Sequence, residues 1–337
     1  MFGRWKYRHV AVSLAWMRPY VSRIRHLSLQ GSLCELPVGV FDALETLEFT
    51  DVDLKETDFP DNGFGATPLL RRLVFTQAFV QLPFLSLFKL TDLRLNTGEE
   101  DPISESVLLR FLSRCNALVT LYVSCIIKDD IDAYGEGEDA IPFDRWEDGK
   151  ISMLHLTSLT VGLFDQTFWL LSYLVLPVLS CLTIDSATGW SQAIYRSFLY
   201  QSSPPLRTLV LQGSLMREDA FLDLLRHTPS LVHVTVTNSI HITSTLIEGM
   251  AWGADDATLG IGPCLETMHI EDSHWCTAAD TEWLCNGAIT EMISSRDSSG
   301  NPAVLVENSQ TESTEGSWCA YFLLIGAPSS TGLFNIV

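Results

Sequence analysis

One pattern limits this chain more than any other. The stretch 206–214 reads Leu-Arg-Thr-Leu-Val-Leu-Gln-Gly-Ser, with apolar residues at positions one, four and six and a small residue at nine. A helical run follows at 219–227, and the pattern restarts at Leu231. A strand, a turn and a helix of about 25 residues cannot bury their own apolar face, so such a unit must stack on copies of itself.

Ten segments carry the same register. They are Ile24/Leu27/Leu29, Leu44/Leu47/Phe49, Leu70/Leu73/Phe75, Leu90/Leu93/Leu95 and Leu118/Leu121/Val123. The series continues with Leu156/Leu159/Val161, Leu179/Leu182/Ile184, Leu206/Leu209/Leu211, Leu231/Val234/Val236 and Leu265/Met268/Ile270. Successive starts lie 20, 26, 20, 28, 38, 23, 27, 25 and 34 residues apart, and seven of these nine spacings fit leucine-rich repeats. The series predicts an α/β leucine-rich-repeat solenoid over 24–296. Its curved parallel β-sheet would form the concave face, with helices and irregular turns on the convex face. The competing reading is an ordinary α/β domain with parallel strands, for which longer apolar runs and a less regular period are expected.

Three phrases add a resemblance. They are Arg-Ile-Arg-His-Leu-Ser-Leu at 23–29, Phe-Leu-Asp-Leu-Leu-Arg-His-Thr-Pro-Ser-Leu at 221–231, and Ile-Thr-Glu-Met-Ile-Ser-Ser-Arg at 289–296. Over roughly residues 10–296 the chain resembles the leucine-rich-repeat region of basidiomycete F-box/LRR-like proteins. That resemblance implies the target-recognition part of a ubiquitin-ligase substrate receptor, with a ligase adaptor as a further partner if docking survives. An F-box of about 40 residues would normally come first, but only 23 residues precede Ile24. A stand-alone repeat scaffold is the alternative within binding.

The chain of 337 residues is 47% hydrophobic and 18% charged, which supports a sizeable core and argues against a disordered chain. Acidic residues outnumber basic ones 41 to 21. A net charge of -20 disfavours phosphate-mediated nucleic-acid binding. The first 34 residues nevertheless hold six Arg or Lys and no Asp or Glu. Eight Cys are scattered without a CxxC pair, which predicts free buried thiols in a cytoplasmic or nuclear setting. No apolar run is long enough to span a membrane, so neither a membrane nor a nucleic-acid partner is expected, and the protein should be a monomer.

Residues 1–23 read as an N-terminal capping helix anchored by Trp5, Val12, Leu14 and Trp16, and a mitochondrial presequence is the alternative for this basic start. An acidic insertion is expected at 127–150. Residues 297–317 read as a polar linker, and 318–337 as a short apolar C-terminal segment. Helices are expected at 104–115, 191–200 and 219–227, and further ones near 243–252, 277–285 and 289–294.

With positions four and six inward, positions three, five and seven face the opposite side of the sheet. That face is mostly uncharged and polar. Arg72, Arg94, Tyr122, His233 and His269 are its candidate protein-binding residues, because Arg and aromatic side chains dominate interface energetics. The expected partner is a target protein or peptide on the concave face.

Signals for chemistry are sparse. Residues 130–138 imitate the start of an EF-hand loop, but its twelfth position is Ile141 where calcium requires a bidentate Glu. The cluster His269, Glu271, Asp272, His274, Cys276 and Cys285 is the one place where a hydrolase or metal enzyme could be sought, yet its spacings do not match structural zinc. HExxH and GxSxG do not occur. The chain is therefore read as a non-enzyme with no catalytic or metal residues and no cofactor.

Overall fold

A computed structural model describes residues 19–31, 39–52, 66–77, 87–97, 102–128, 149–162, 165–185, 190–213, 216–237, 264–271, 305–309 and 322–323. The chain divides into two compact units. The first comprises 1–179 with 200–204, and the second 180–199 with 205–337.

The first unit is built on parallel strands laid down in chain order: β1 (His26–Gln30), β2 (Thr46–Thr50), β3 (Arg72–Thr76) and β4 (Asp92–Asn96). After the two-residue β5 (Ile103–Ser104) come β6 (Thr120–Ser124), β7 (Ile127–Lys128), β8 (Ile151–Ser152), β9 (Ser158–Val161) and β10 (Leu174–Val175). β1, β2, β3, β4, β6 and β9 pair side by side without register slip. Two short parallel pairs, β5 with β7 and β8 with β10, lie apart from this sheet. One α-helix, α1 (Glu105–Ser113), starts after Ser104 and buries Leu108, Leu109, Phe111 and Leu112.

A single local device sets β2, β3, β4, β6 and β9. Four residues before each form a turn closed by one backbone bond, as in Leu44 N–H to Phe41 O (3.2 Å), Leu70 to Thr67 (3.2 Å), Leu90 to Leu87 (3.1 Å) and Leu118 to Cys115 (3.3 Å). The next two amides then donate to one carbonyl of the preceding strand. Glu45 and Thr46 share Arg25 O at 2.8 and 3.0 Å, and Arg71 and Arg72 share Glu45 O at 2.9 and 3.0 Å. The leucine that closes each turn is buried, which is why position one is apolar. Positions four and six, such as Leu47, Phe49, Leu73, Phe75, Leu93 and Leu95, are fully buried on one face. Phe49 stacks on Phe75 at 5.3 Å, and Phe111 brings α1 edge-on to Phe75 at 6.5 Å.

The second unit repeats this logic with β11 (Cys181–Asp185), β12 (Thr208–Gln212), β13 (His233–Thr237), β14 (Thr267–Glu271) and β15 (Leu305–Ser309), all parallel, and closes on an antiparallel β16 (Phe322–Leu323). Two helices serve it, α2 (Gln192–Ser202), whose last residues belong to the first unit, and α3 (Glu218–His227). Tyr195 of α2 is buried and its hydroxyl meets Thr228 Oγ1 at 3.0 Å; Thr228 Oγ1 donates to Leu224 O at 2.9 Å.

These observations correct the expected fold class. The described residues contain three α-helices against sixteen strands, so a helix does not recur there with each strand. Among the described residues the architecture is a mixed α/β one with parallel strands and few helices. The leucine-rich-repeat solenoid is withdrawn, together with its concave sheet face: the described residues of neither unit supply a basis for a concave surface that takes a target protein. The physical reason for the error is that Leu-x-x-Leu-x-Leu specifies a turn and a buried parallel strand, and says nothing of the connection that follows.

Other expectations meet the structure unevenly. Leu305–Ser309 lies inside the stretch read as a polar linker, yet it pairs with β14. Residues 1–18, most of the acidic insertion (129–148), the calcium-like loop, and the helices expected near 243–252, 277–285 and 289–294 fall outside the described residues.

Candidate functional site

The outward positions of the first unit form straight rows because the strands pair in register. One row runs His26, Thr46, Arg72, Asp92, Thr120, Ser158; the next runs Ser28, Glu48, Val74, Arg94, Tyr122, Thr160. All of these side chains are exposed or half-exposed. Parallel sheets are ordinarily covered on both faces, so an open face is the feature that singles this surface out.

At its centre sits a charge quartet. Arg72 Nη1 donates to Asp92 Oδ2 at 3.1 Å, and its Nε lies 4.0 Å from Glu48 Oε1. Arg94 Nε lies 3.6 Å from Asp92 Oδ1. One carboxylate thus holds two guanidinium groups on neighbouring strands. Arg94 remains 48% exposed, with Tyr122 directly across from it on β6. Gly162 lets the chain pass close to this point: a Cβ there would come within 3.1 Å of Ser124 Cβ and 3.6 Å of the Tyr122 hydroxyl. The quartet is charge-balanced, and hydroxyls and amides (Ser28, Thr46, Thr50, Thr76, Asn96, Thr120, Ser158, Thr160) surround it.

Of the candidate residues read from sequence, Arg72, Arg94 and Tyr122 therefore come together on adjacent strands. His233 and His269 lie in the second unit. His233 is exposed, and its Nδ1 shares a hydrogen bond of 2.6 Å with Thr267 Oγ1 on the next strand. His269 is half-exposed in the neighbouring row, across from Thr235. From sequence alone Asp92 and Glu48 are face positions without a role. Their opposite sign one strand away from Arg72 is the signal that could have assigned it.

A second polar cluster joins α2 and α3. Asp223 accepts from Arg196 Nε at 2.9 Å and also from its Nη2. His227 Nδ1 meets Asp223 O at 2.8 Å. The Arg196 hydrogen bond holds the Asp223 carboxyl below the usual carboxylate range, against the opposing effect of desolvation. Burial pushes the Cys115 and Cys125 thiols up to about 12, so both stay protonated and unreactive near neutrality. Among the described residues no group of three His, Cys, Asp or Glu is placed to hold a metal. Asp272, His274, Cys276 and Cys285 lie outside those residues. Among the described residues no helix is long and apolar enough to cross a membrane.

What the fold and this face define is a mixed α/β protein in which, among the described residues, one face of a parallel sheet carries exposed and half-exposed, mostly polar side chains. Comparison with protein-family profiles finds no match, and comparison with curated proteins finds none. The resemblance to F-box/LRR-like proteins is accordingly withdrawn with the fold that carried it. The ubiquitin-ligase target-recognition role, the ligase adaptor and the repeat scaffold go with it.

Proposed function

We propose that the protein works by binding and not by catalysis, and that the open sheet face of the first unit takes a neutral, hydroxyl-rich ligand such as an oligosaccharide. One observation carries this reading: the Glu48–Arg72–Asp92–Arg94 quartet is charge-balanced, with Arg72 hydrogen-bonded to Asp92 and the other two ion pairs at 3.6 and 4.0 Å. An anionic ligand would meet Asp92 and Glu48, and a cationic one would meet both arginines. A ligand whose hydroxyls both donate and accept suits the quartet and the Ser, Thr and Asn side chains around it. Tyr122 adds an apolar ring with a polar tip at the centre. A cytoplasmic or nuclear location belongs to the same proposal, supported by the free thiols of Cys115, Cys125, Cys181 and Cys264.

The test is isothermal titration of the full chain against neutral oligosaccharides, with acidic ones as comparators. Neutral ligands should bind, and Tyr122→Ala or Arg94→Gln should weaken them about tenfold or more, as loss of a central contact does. Affinity unchanged in both variants, preference for the acidic comparators, or no binding by the parent chain would each overturn the proposal.

A further inference from the structure

The turns that lead into the strands of the first unit carry a second surface. In each turn the two middle residues point away from the core: Ser22-Arg23, Asp42-Ala43, Pro68-Leu69, Phe88-Lys89, Asn116-Ala117 and Leu154-His155. Because the strands they precede pair in register, these tips line up along one edge, spaced about 4.8 Å per strand and spanning about 24 Å. Three tips expose large apolar side chains, Leu69 (44%), Phe88 (59%) and Leu154 (59%). Between and beside them stand the exposed cations Arg23, Arg25, Arg71 and Lys89, the last lying 5.7 Å from the Phe88 ring. Among the described residues the acids on this edge are Asp42 and Glu45. A locally basic, apolar edge on a chain of net charge -20 runs against its composition.

We infer that this edge docks on an anionic lipid surface. The tips follow one another along one edge of the paired strands, so that several of them can meet one surface together. Apolar side chains inserting at the headgroup boundary, with Arg and Lys beside them, are the chemistry by which proteins rest on anionic membranes without crossing them. The rest of the chain repels such a surface, but at physiological salt that repulsion is screened beyond about 8 Å, so the residues at the edge decide the contact. This revises the expectation of no membrane partner: the protein would lie on a bilayer by its turns.

The experiment is co-sedimentation of the full chain with vesicles of phosphatidylcholine alone and of phosphatidylcholine mixed with phosphatidylserine. Thermal melts would establish that each variant is folded. The parent chain should sediment with the mixed vesicles and much less with the neutral ones. Arg71→Glu with Lys89→Glu should weaken binding about tenfold or more, given the contribution of each basic residue near the surface. Phe88→Ser with Leu154→Ser should weaken it too. Failure of the parent chain to sediment, or equal binding by both folded variants, would sink the inference. Capture by RNA at the same edge, sensitive to the charge reversal and indifferent to Phe88→Ser with Leu154→Ser, would overturn it in favour of a polyanion site.

Discussion

Asp51 and Gln77 hold the left-handed backbone, at φ 49° and 53°, that Gly31 and Gly213 adopt at equivalent strand ends with φ 81° and 64°. All four residues use the amide to reach the neighbouring strand: Gly31 donates to Thr50 O at 3.4 Å, Asp51 to Thr76 O at 2.8 Å, Gln77 to Asn96 O at 2.7 Å and Gly213 to Thr237 O at 2.7 Å. The turn imposes the conformation, and a side chain there is strained. Gln77→Gly should therefore stabilise the fold by about 0.5–1 kcal/mol, the relieved strain less the added freedom of the unfolded chain. Urea denaturation measures this, and a loss of stability would mean that the Gln77 side chain makes a compensating contact. Leu209, fully buried at position four of β12, should cost about 2–5 kcal/mol when changed to Ala. Thiol accessibility gives an independent check on burial. Cys264 is exposed, whereas Cys115 and Cys125 are buried and held protonated. An alkylating reagent followed by mass spectrometry should label Cys264 in the folded chain, and Cys115 and Cys125 only on unfolding.

At the scale of elements, the sequence speaks clearly about strands and poorly about what joins them. The alternation at positions four and six is a direct imprint of burial on one face, so the pattern alone orients Leu73 and Phe75, or Leu209 and Leu211, towards the core. The helices 105–113, 192–202 and 218–227 are also legible, from apolar spacing and, in α3, from Glu218 and Asp219 at the start and Arg226 and His227 at the end. The error lies in extending the strand–helix unit to connections whose residues carry no helical period. The same limit applies to the site. Sequence puts Arg72, Arg94 and Tyr122 on one face, but ion pairing across strands depends on register, and only the structure shows that Asp92 ties both arginines. The α2–α3 clasp is invisible in the sequence because Arg196 and Asp223 lie far apart along it. Its energetics have a definite sign. Asp223 has a lowered folded-state pKa, so its contribution is present above the unfolded value and is lost as pH falls through the folded one. Arg196→Leu should move the Asp223 titration, followed by NMR, upward towards the ordinary carboxylate range. It should also move acid unfolding to higher pH. An unmoved titration would mean that Arg196 does not hold this carboxylate in solution.

At the scale of the whole molecule, charge sets two events that separate along the pH axis. The chain carries -20 near neutrality and reaches zero near pH 4.6. Mutual repulsion between copies fades as that point is approached, and association becomes favourable while the fold is intact. The Asp223 clasp survives there, because its folded-state pKa lies below the ordinary value of 3.8 and its stabilisation is lost only at lower pH. Acidification should thus produce association first and unfolding second. Light scattering should rise towards pH 4.6 with circular dichroism unchanged, and the dichroism should change only on further acidification. Added salt bears on both sides of the series. Near neutral pH it screens self-repulsion and should raise thermal stability slightly. Below pH 4.6 the chain turns net positive, and salt there screens the renewed self-repulsion as well as the Arg196–Asp223 pair, which is exposed on the arginine side. Unfolding that coincides with the rise in scattering would show instead that the native carboxylates as a set, and not repulsion between copies, govern the acid behaviour.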